Sequence, residues 1–275
     1  MSGSASESEK LSGAIRALAP GVGLAMLSST FALFLVDRSL PLATRLAAND
    51  AVGNYLQTLG TIYAVLLAFA VYVVWTEYTD VRQHMEAEAN ELFGILRMAS
   101  GLPDATSLAL RGIVLRYVKA FLELEWSASA SSDDAVVSTG WGLVGELWDT
   151  LRAFQPEDPR CGALYAELLG SVNDLCEART ARITSGRARI PLPLRIVLYT
   201  GALSTVGSLC LFGVETFWIH ALITALLAGA VTHVLVVIED LDDPFSGYWQ
   251  APKDPFLRLR EYAQKGEPQK PSSVA

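Results

Sequence analysis

Four carboxylates, Glu239, Asp240, Asp242 and Asp243, crowd the segment IEDLDDPFSG at 238–247, and Glu77 and Asp80 follow the apolar run that ends near Thr76. Grouped carboxylates hold calcium when about six to eight oxygens converge, or draw cations to the mouth of a pore. The first group carries a physical difficulty. It follows the apolar run LAGAVTHVLVV, and a helix C-terminus presents unpaired carbonyls and partial negative charge, so each acid there costs roughly 0.3–1 kcal/mol without compensation. Two compensations stay open. One is a basic neighbour: Lys253, Arg258 or an arginine from the membrane-proximal end of the middle segment. The other is a calcium ion on Asp240, Asp242 and Asp243, for which few further oxygen ligands are evident. Pro244 is expected to end the helix and leave Asp242 and Asp243 in a turn, where Asp side chains accept from backbone amides.

Nucleophile and metal signatures are absent from the sequence. His84, His220 and His233 are dispersed; the last two, 13 residues apart on one helix, face different directions and cannot share a metal. No GxSxG, HExxH, P-loop or dinucleotide fingerprint occurs. The expectation is a protein that is not an enzyme and carries no cofactor beyond the calcium alternative. Cys161, Cys176 and Cys210 are three and widely spaced, which suits packing rather than a disulfide framework. A net charge of −8 leaves no basic surface for nucleic acid.

The elements that would position these groups are helices in a membrane. Hydrophobic residues make up 51% of the 275 residues and charged ones 18%, and the apolar residues cluster in windows at about 17–36, 55–76, 192–214 and 217–238. Each is near the roughly 20 residues that cross a bilayer as a helix. The predicted fold class is all-α: an integral membrane protein with four transmembrane helices and a helical cytosolic insert between the second and third. The parts are a polar N-terminal segment at 1–16, a hairpin at 17–76, the insert at 77–190, a second hairpin at 191–240 and a tail at 241–275 whose last ten residues are expected to be disordered. The stretch 77–99 continues from the second span as one rod, 127–134 (SASASSDD) reads as a flexible linker, and further helices are expected over about 104–126, 139–154 and 161–185. Lysines and arginines gather at both ends of the chain and along the insert, which orients both termini and the insert to the cytoplasm of a multi-pass inner-membrane protein.

Two stripes carry the internal logic. In the first helix of the insert, Glu88 interrupts the apolar seam of Val81, Met85, Leu92 and Leu96; in the last, Arg179 interrupts Leu168, Val172 and Leu175. A buried pair fits, because an unpaired buried carboxylate is costly; solvation of each residue on the seam's rim is the other reading. On the second span, Thr58, Ile62, Leu66, Phe69 and Val73 lie near one line that continues to Asp80, with Glu77 close by. Repeated about a symmetry axis, that line makes a hydrophobic constriction above an acidic vestibule. Facing lipid, it is ordinary packing. The opposite face repeats Gly60, Ala64 and Ala68, a pattern that lets membrane helices approach closely.

The order of two spans, helical insert, tightly turned pair of spans and acidic ending resembles the bestrophin-like membrane proteins of prokaryotes. The residues that carry it are GTIYAVLLAFAVYVVWTEYTD at 60–80, EAEAN at 86–90, SGLP at 100–103, LYAELLGSVNDLCEARTAR at 164–182 and LDDPFSG at 241–247. Bestrophins are homopentameric ion channels with a hydrophobic neck on the second span, and animal members bind calcium after the last span. The resemblance implies a pentamer in membrane lipid passing inorganic ions, with Ile62, Leu66 and Phe69 at the neck and Asp240, Asp242 and Asp243 at the acidic cluster. This neck is not a regular row of phenylalanines, and Leu241 and Pro244 interrupt the cluster. Glu77 and Asp80 favour cations over anions. The alternative is a non-conducting oligomeric scaffold that binds a partner through its cytosolic helices.

Overall fold

The structure, a computed structural model, describes residues 7–126 and 134–265. Among these residues every regular element is helical. The helices are α1 (Glu7–Ser39), α2 (Leu42–Ala99), α3 (Asp104–Ala120) with a π-helical turn at Phe121–Glu125, α4 (Asp134–Ala153), α5 (Pro159–Arg187), α6 (Leu192–Cys210), α7 (Phe217–Leu241) and α8 (Asp254–Lys265). Stretches in α1, α2, α7 and the α5–α6 segment are long and apolar enough to cross a membrane. The expected linker at 127–134 lies, but for Asp134, outside the described residues, as do the last ten residues.

Several boundaries differ from the sequence expectation, α2 beginning at Leu42 rather than near 55. α1 is helical through Pro20 and back to Glu7; proline frees one carbonyl acceptor, which membrane helices tolerate. α4 starts at Asp134, five residues before Thr139. The tail contains α8, which the density of proline, lysine and glutamate obscured. Its 12 residues bury Pro255, Phe256, Leu259 and Ala263 on one face, the spacing of an amphipathic helix.

Two compact units result. The first comprises residues 1–76, 189–242 and 247–249. Its α1 packs along α7, with Leu33, Cys210 and Ala221 at one buried centre. Tyr63 of α2 is buried and donates to the Leu198 carbonyl of α6 at 3.0 Å. Asn49 grips the α6–α7 turn at both polar atoms of Gly213, accepting from its N–H at 2.8 Å and donating to its carbonyl at 3.0 Å. Much of the outer surface is nevertheless apolar: Leu203 is 75% and Trp218 78% exposed. Such a surface is at home in hydrocarbon rather than in water.

The second unit comprises residues 77–188, 243–246 and 250–275. Its core holds Leu92 and Ile95 of α2, Leu110 and Val114 of α3, Leu147 and Leu151 of α4, and Leu168 and Val172 of α5. α8 seals one side: Phe256 stacks on Phe121 at 3.8 Å, Tyr262 stacks on Phe93 at 4.1 Å, and Arg111 donates from Nε to the Ala263 carbonyl at 2.7 Å.

Candidate functional site

On α2 the residues facing the rest of the first unit are Tyr63, Ala70 and Val74, all buried. Helical geometry then sets what remains outside. Of the sequence-predicted line, Thr58 is exposed and Ile62 and Phe69 are each 56% exposed, whereas Leu66 and Val73 are half-buried at the edge of the packed face. Val65, outside that line, is 66% exposed and stands directly away from Tyr63. Ala64 and Ala68 are exposed as well. The small-residue face is therefore not the one that packs inside the protomer; the larger Tyr63 fills that role, its ring lying over Gly201. Glu77 and Asp80, in the second unit, are half-buried.

Glu88 and Arg179 are both fully buried, with Arg179 Nη1 at 3.7 Å from Glu88 Oε1. They are half of a larger assembly. Arg182 donates to Glu88 Oε2 at 2.5 Å and Oε1 at 3.2 Å, and to Glu125 Oε2 at 2.9 Å. Arg179 donates to Glu125 at 2.6 and 3.1 Å, and to the Val137 carbonyl at 2.9 Å. Two cations and two anions thus balance in a core closed to bulk solvent, and mutual pairing is the condition under which buried charge is tolerable. Tyr117 joins them, donating to Glu88 and accepting from Arg179 Nη1 at 2.7 Å. Burial, and then the Glu88 carboxylate, hold the Tyr117 hydroxyl well above the usual tyrosine range, so it remains a donor. Burial works against charge on Arg179 and Arg182, but the neighbouring groups outweigh it: Tyr117 and Glu125 for Arg179, Glu88 for Arg182.

The local sequence explains the delivery of each group. Arg179 and Arg182 are three residues apart, one turn of the same α5 face. Glu125 is presented by the π-helical turn, whose wider winding advances less per residue and brings it back into line with Tyr117 and Phe121. α4 approaches through Gly140, where any Cβ would strike the Arg179 guanidinium and the Glu125 carboxylate.

The carboxylates at and after the end of α7 take separate partners. Asp242, at the end of α7, accepts from the Ile190 N–H at 2.7 Å and from Arg195 at 2.6 Å. Arg195 also reaches Glu239 at 3.2 Å. Asp240 accepts from the N–H groups of Tyr248 and Trp249 at 2.9 and 2.8 Å, and Gly247 between them has φ +72°, a conformation that favours glycine. Asp243 accepts from the Phe245 N–H at 3.2 Å. Among the described residues no group of three or more His, Cys, Asp or Glu side chains is placed to hold a metal ion. Asp240, Asp242 and Asp243, the residues of the calcium alternative, accept here from separate backbone amides. The basic partner of Asp242 is Arg195 of α6, and Lys253 lies over the Trp126 ring at 4.6 Å.

One acid in the second unit is strained. Burial, then Asp174, raises the Glu91 carboxyl above the usual carboxylate range, Ser171 opposes this, and Glu167 adds to the rise. A raised carboxyl takes up its proton in the folded state first, so folding gains stability as pH falls through its folded pKa towards the ordinary carboxylate range. Glu91→Gln is expected to raise the melting temperature at neutral pH, with the gap from the parent closing as the pH enters that range. Thermal melts from pH 7 to 4 check it.

The bestrophin-like domain family matches residues 23–256 of the chain. Among solved structures, a point variant of a bacterial bestrophin homologue from Klebsiella pneumoniae superposes with a TM-score of 0.67 at 10% identity, covering 88% of this chain and 99% of that one. Another structure of a bacterial bestrophin homologue from Klebsiella pneumoniae gives 0.65 at 12% identity over 88% and 97%. A point variant described only as a membrane protein gives 0.67 at 13% identity over 91% and 99%. No curated protein matches the chain in sequence.

Proposed function

The chain belongs to the bestrophin-like family, and from that premise we propose that it forms a ring of identical copies, a homopentamer, in the inner membrane, through which inorganic ions pass along an axis lined by α2. In this reading four segments span the bilayer, the second unit is the cytoplasmic insert between the second and third spans, and both termini are cytoplasmic. The distribution of lysine and arginine supports that orientation. The reading calls for no catalytic residue.

The observation that carries it is the outward face of α2. Ile62, Val65 and Phe69 are each more than half exposed on the single protomer, while the other side of the helix is packed. Assembled about an axis, that face forms a hydrophobic constriction of the kind that gates by dewetting. The acids Glu77 and Asp80, about two and three turns beyond Phe69 on the same helix, favour cations by the sign of their charge. The rows that contribute most to the constriction are Ile62, Val65 and Phe69, with the half-buried Leu66 and Val73 behind them.

Single cysteines at positions 62, 65 and 69 test the assignment with a membrane-impermeant, water-soluble thiol reagent. The expected result is labelling at all three positions, slowest at the narrowest row. Protection of all three in a protein that runs as a monomer by light scattering removes the axis. An oligomer that stays protected and passes no current favours the scaffold acting through its cytoplasmic helices.

A further inference from the structure

In the first unit an apolar groove of about 490 Å³ runs between α1 and α6 over the surface of α7. Its walls carry hydroxyls, but Ser28 and Ser29 turn theirs back to the carbonyls of Ala25 and Met26 in their own helix, at 3.1 and 2.9 Å. The surface left for an occupant is therefore almost wholly apolar, with Thr232 and Tyr199 supplying its other hydroxyls. At one end the chemistry changes abruptly. Tyr199, which lines the groove, donates to Glu239 at 3.0 Å; Glu239 pairs with Arg195, and Arg195 with Asp242. Arg195 and Glu239 are each about one-third exposed, at 35% and 37%, whereas Asp242 is buried. A positive and a negative group thus stand side by side, open to solvent, at the polar end of an apolar channel.

We infer that this groove is a binding site for one phospholipid with a zwitterionic, primary-amine head group, its acyl chain along the α1–α6 groove, its phosphate on Arg195 and its amine on Glu239. The inference rests on the membrane-spanning reading of α1, α6 and α7 given above. Two features favour a lipid over a helix from a second copy. On the spanning reading the groove wall is nearly all apolar along its length, and its charged end matches a head group carrying both signs. A phosphate alone would meet repulsion from Glu239 as well as attraction to Arg195; an amine beside it relieves that repulsion. The site would tie the start of α6 to the end of α7 across the membrane surface.

The test is native mass spectrometry of the full chain released from bilayers of equal phosphatidylethanolamine and phosphatidylglycerol. Three proteins are compared: the parent, Gly207→Phe and Glu239→Gln. Gly207 lines the groove, and a Cβ there meets nothing within 4 Å, so a phenylalanine side chain starts from open space at the groove wall. The parent is expected to retain one phosphatidylethanolamine per chain, with the amine lipid favoured about tenfold. Gly207→Phe is expected to lose it, and Glu239→Gln to retain a lipid with the head-group preference gone. Retention unchanged in Gly207→Phe, or a parent that holds both lipids equally, overturns the inference. Either outcome in a protein that still inserts into the bilayer leaves the spanning assignment intact; failure of the parent to insert would overturn both.

Discussion

Arg182→Met lowers the stability of the second unit by about 3–5 kcal/mol, the range found when one partner is removed from a buried ion pair. The size follows from what the substitution leaves behind. Glu88 loses both of its guanidinium hydrogen bonds to Arg182, Glu125 loses one, and a single arginine then faces two carboxylates in a core closed to bulk solvent. Against a typical domain stability of about 5–15 kcal/mol, the loss is visible as a large fall in the melting temperature of detergent-solubilised protein. Adding Glu88→Leu to Arg182→Met restores charge balance, with Arg179 and Glu125 still paired at 2.6 Å, so the double variant recovers part of the loss. Melts of the parent, both single variants and the double variant measure the coupling. Strictly additive effects would show that the four charges do not act together.

How much of this assembly was legible beforehand depends on periodicity. Glu88 and Arg179 announced themselves as polar residues within apolar stripes, and both lie in the buried core. Arg182 carried a usable signal, three residues after Arg179 on the same face. Tyr117 reads as an ordinary core aromatic; only the neighbouring carboxylate makes it a polar link. Glu125 was invisible for a physical reason: a constant helical period misplaces any residue beyond a π-helical turn. The pairing is consequently richer than one bridge, with Glu88 bonded mainly to Arg182 and Arg179 mainly to Glu125.

The acidic ending shows a similar limit. That the helix stops before Pro244 and leaves Asp242 at its end was readable from proline geometry, and α7 does end at Leu241. The identity of the compensating donors was not, because Ile190 and Arg195 are distant in sequence from Asp242. Likewise, the sequence shows that α2 has several apolar faces but not which one the protomer covers. Tyr63 decides that, and the decision moves Val65 to the outside and Leu66 to the edge.

The second large effect concerns that outer face. Phe69 is the bulkiest exposed side chain among the neck candidates, and replacing it by alanine widens the constriction and lets water enter it. Conductance in Phe69→Ala is expected to rise about tenfold, the change produced by a barrier lower by roughly 1.4 kcal/mol. A lipid-facing Phe69 would leave current unchanged, since its truncation would alter only the outer surface of the protein.

The most direct measurement is made on the parent and Phe69→Ala reconstituted in a planar bilayer under a salt gradient. The account predicts unitary currents in the parent, a reversal potential shifted towards the cation equilibrium, and larger currents of the same selectivity in the variant. An oligomer confirmed in the bilayer that passes no current, with or without Phe69, would contradict it.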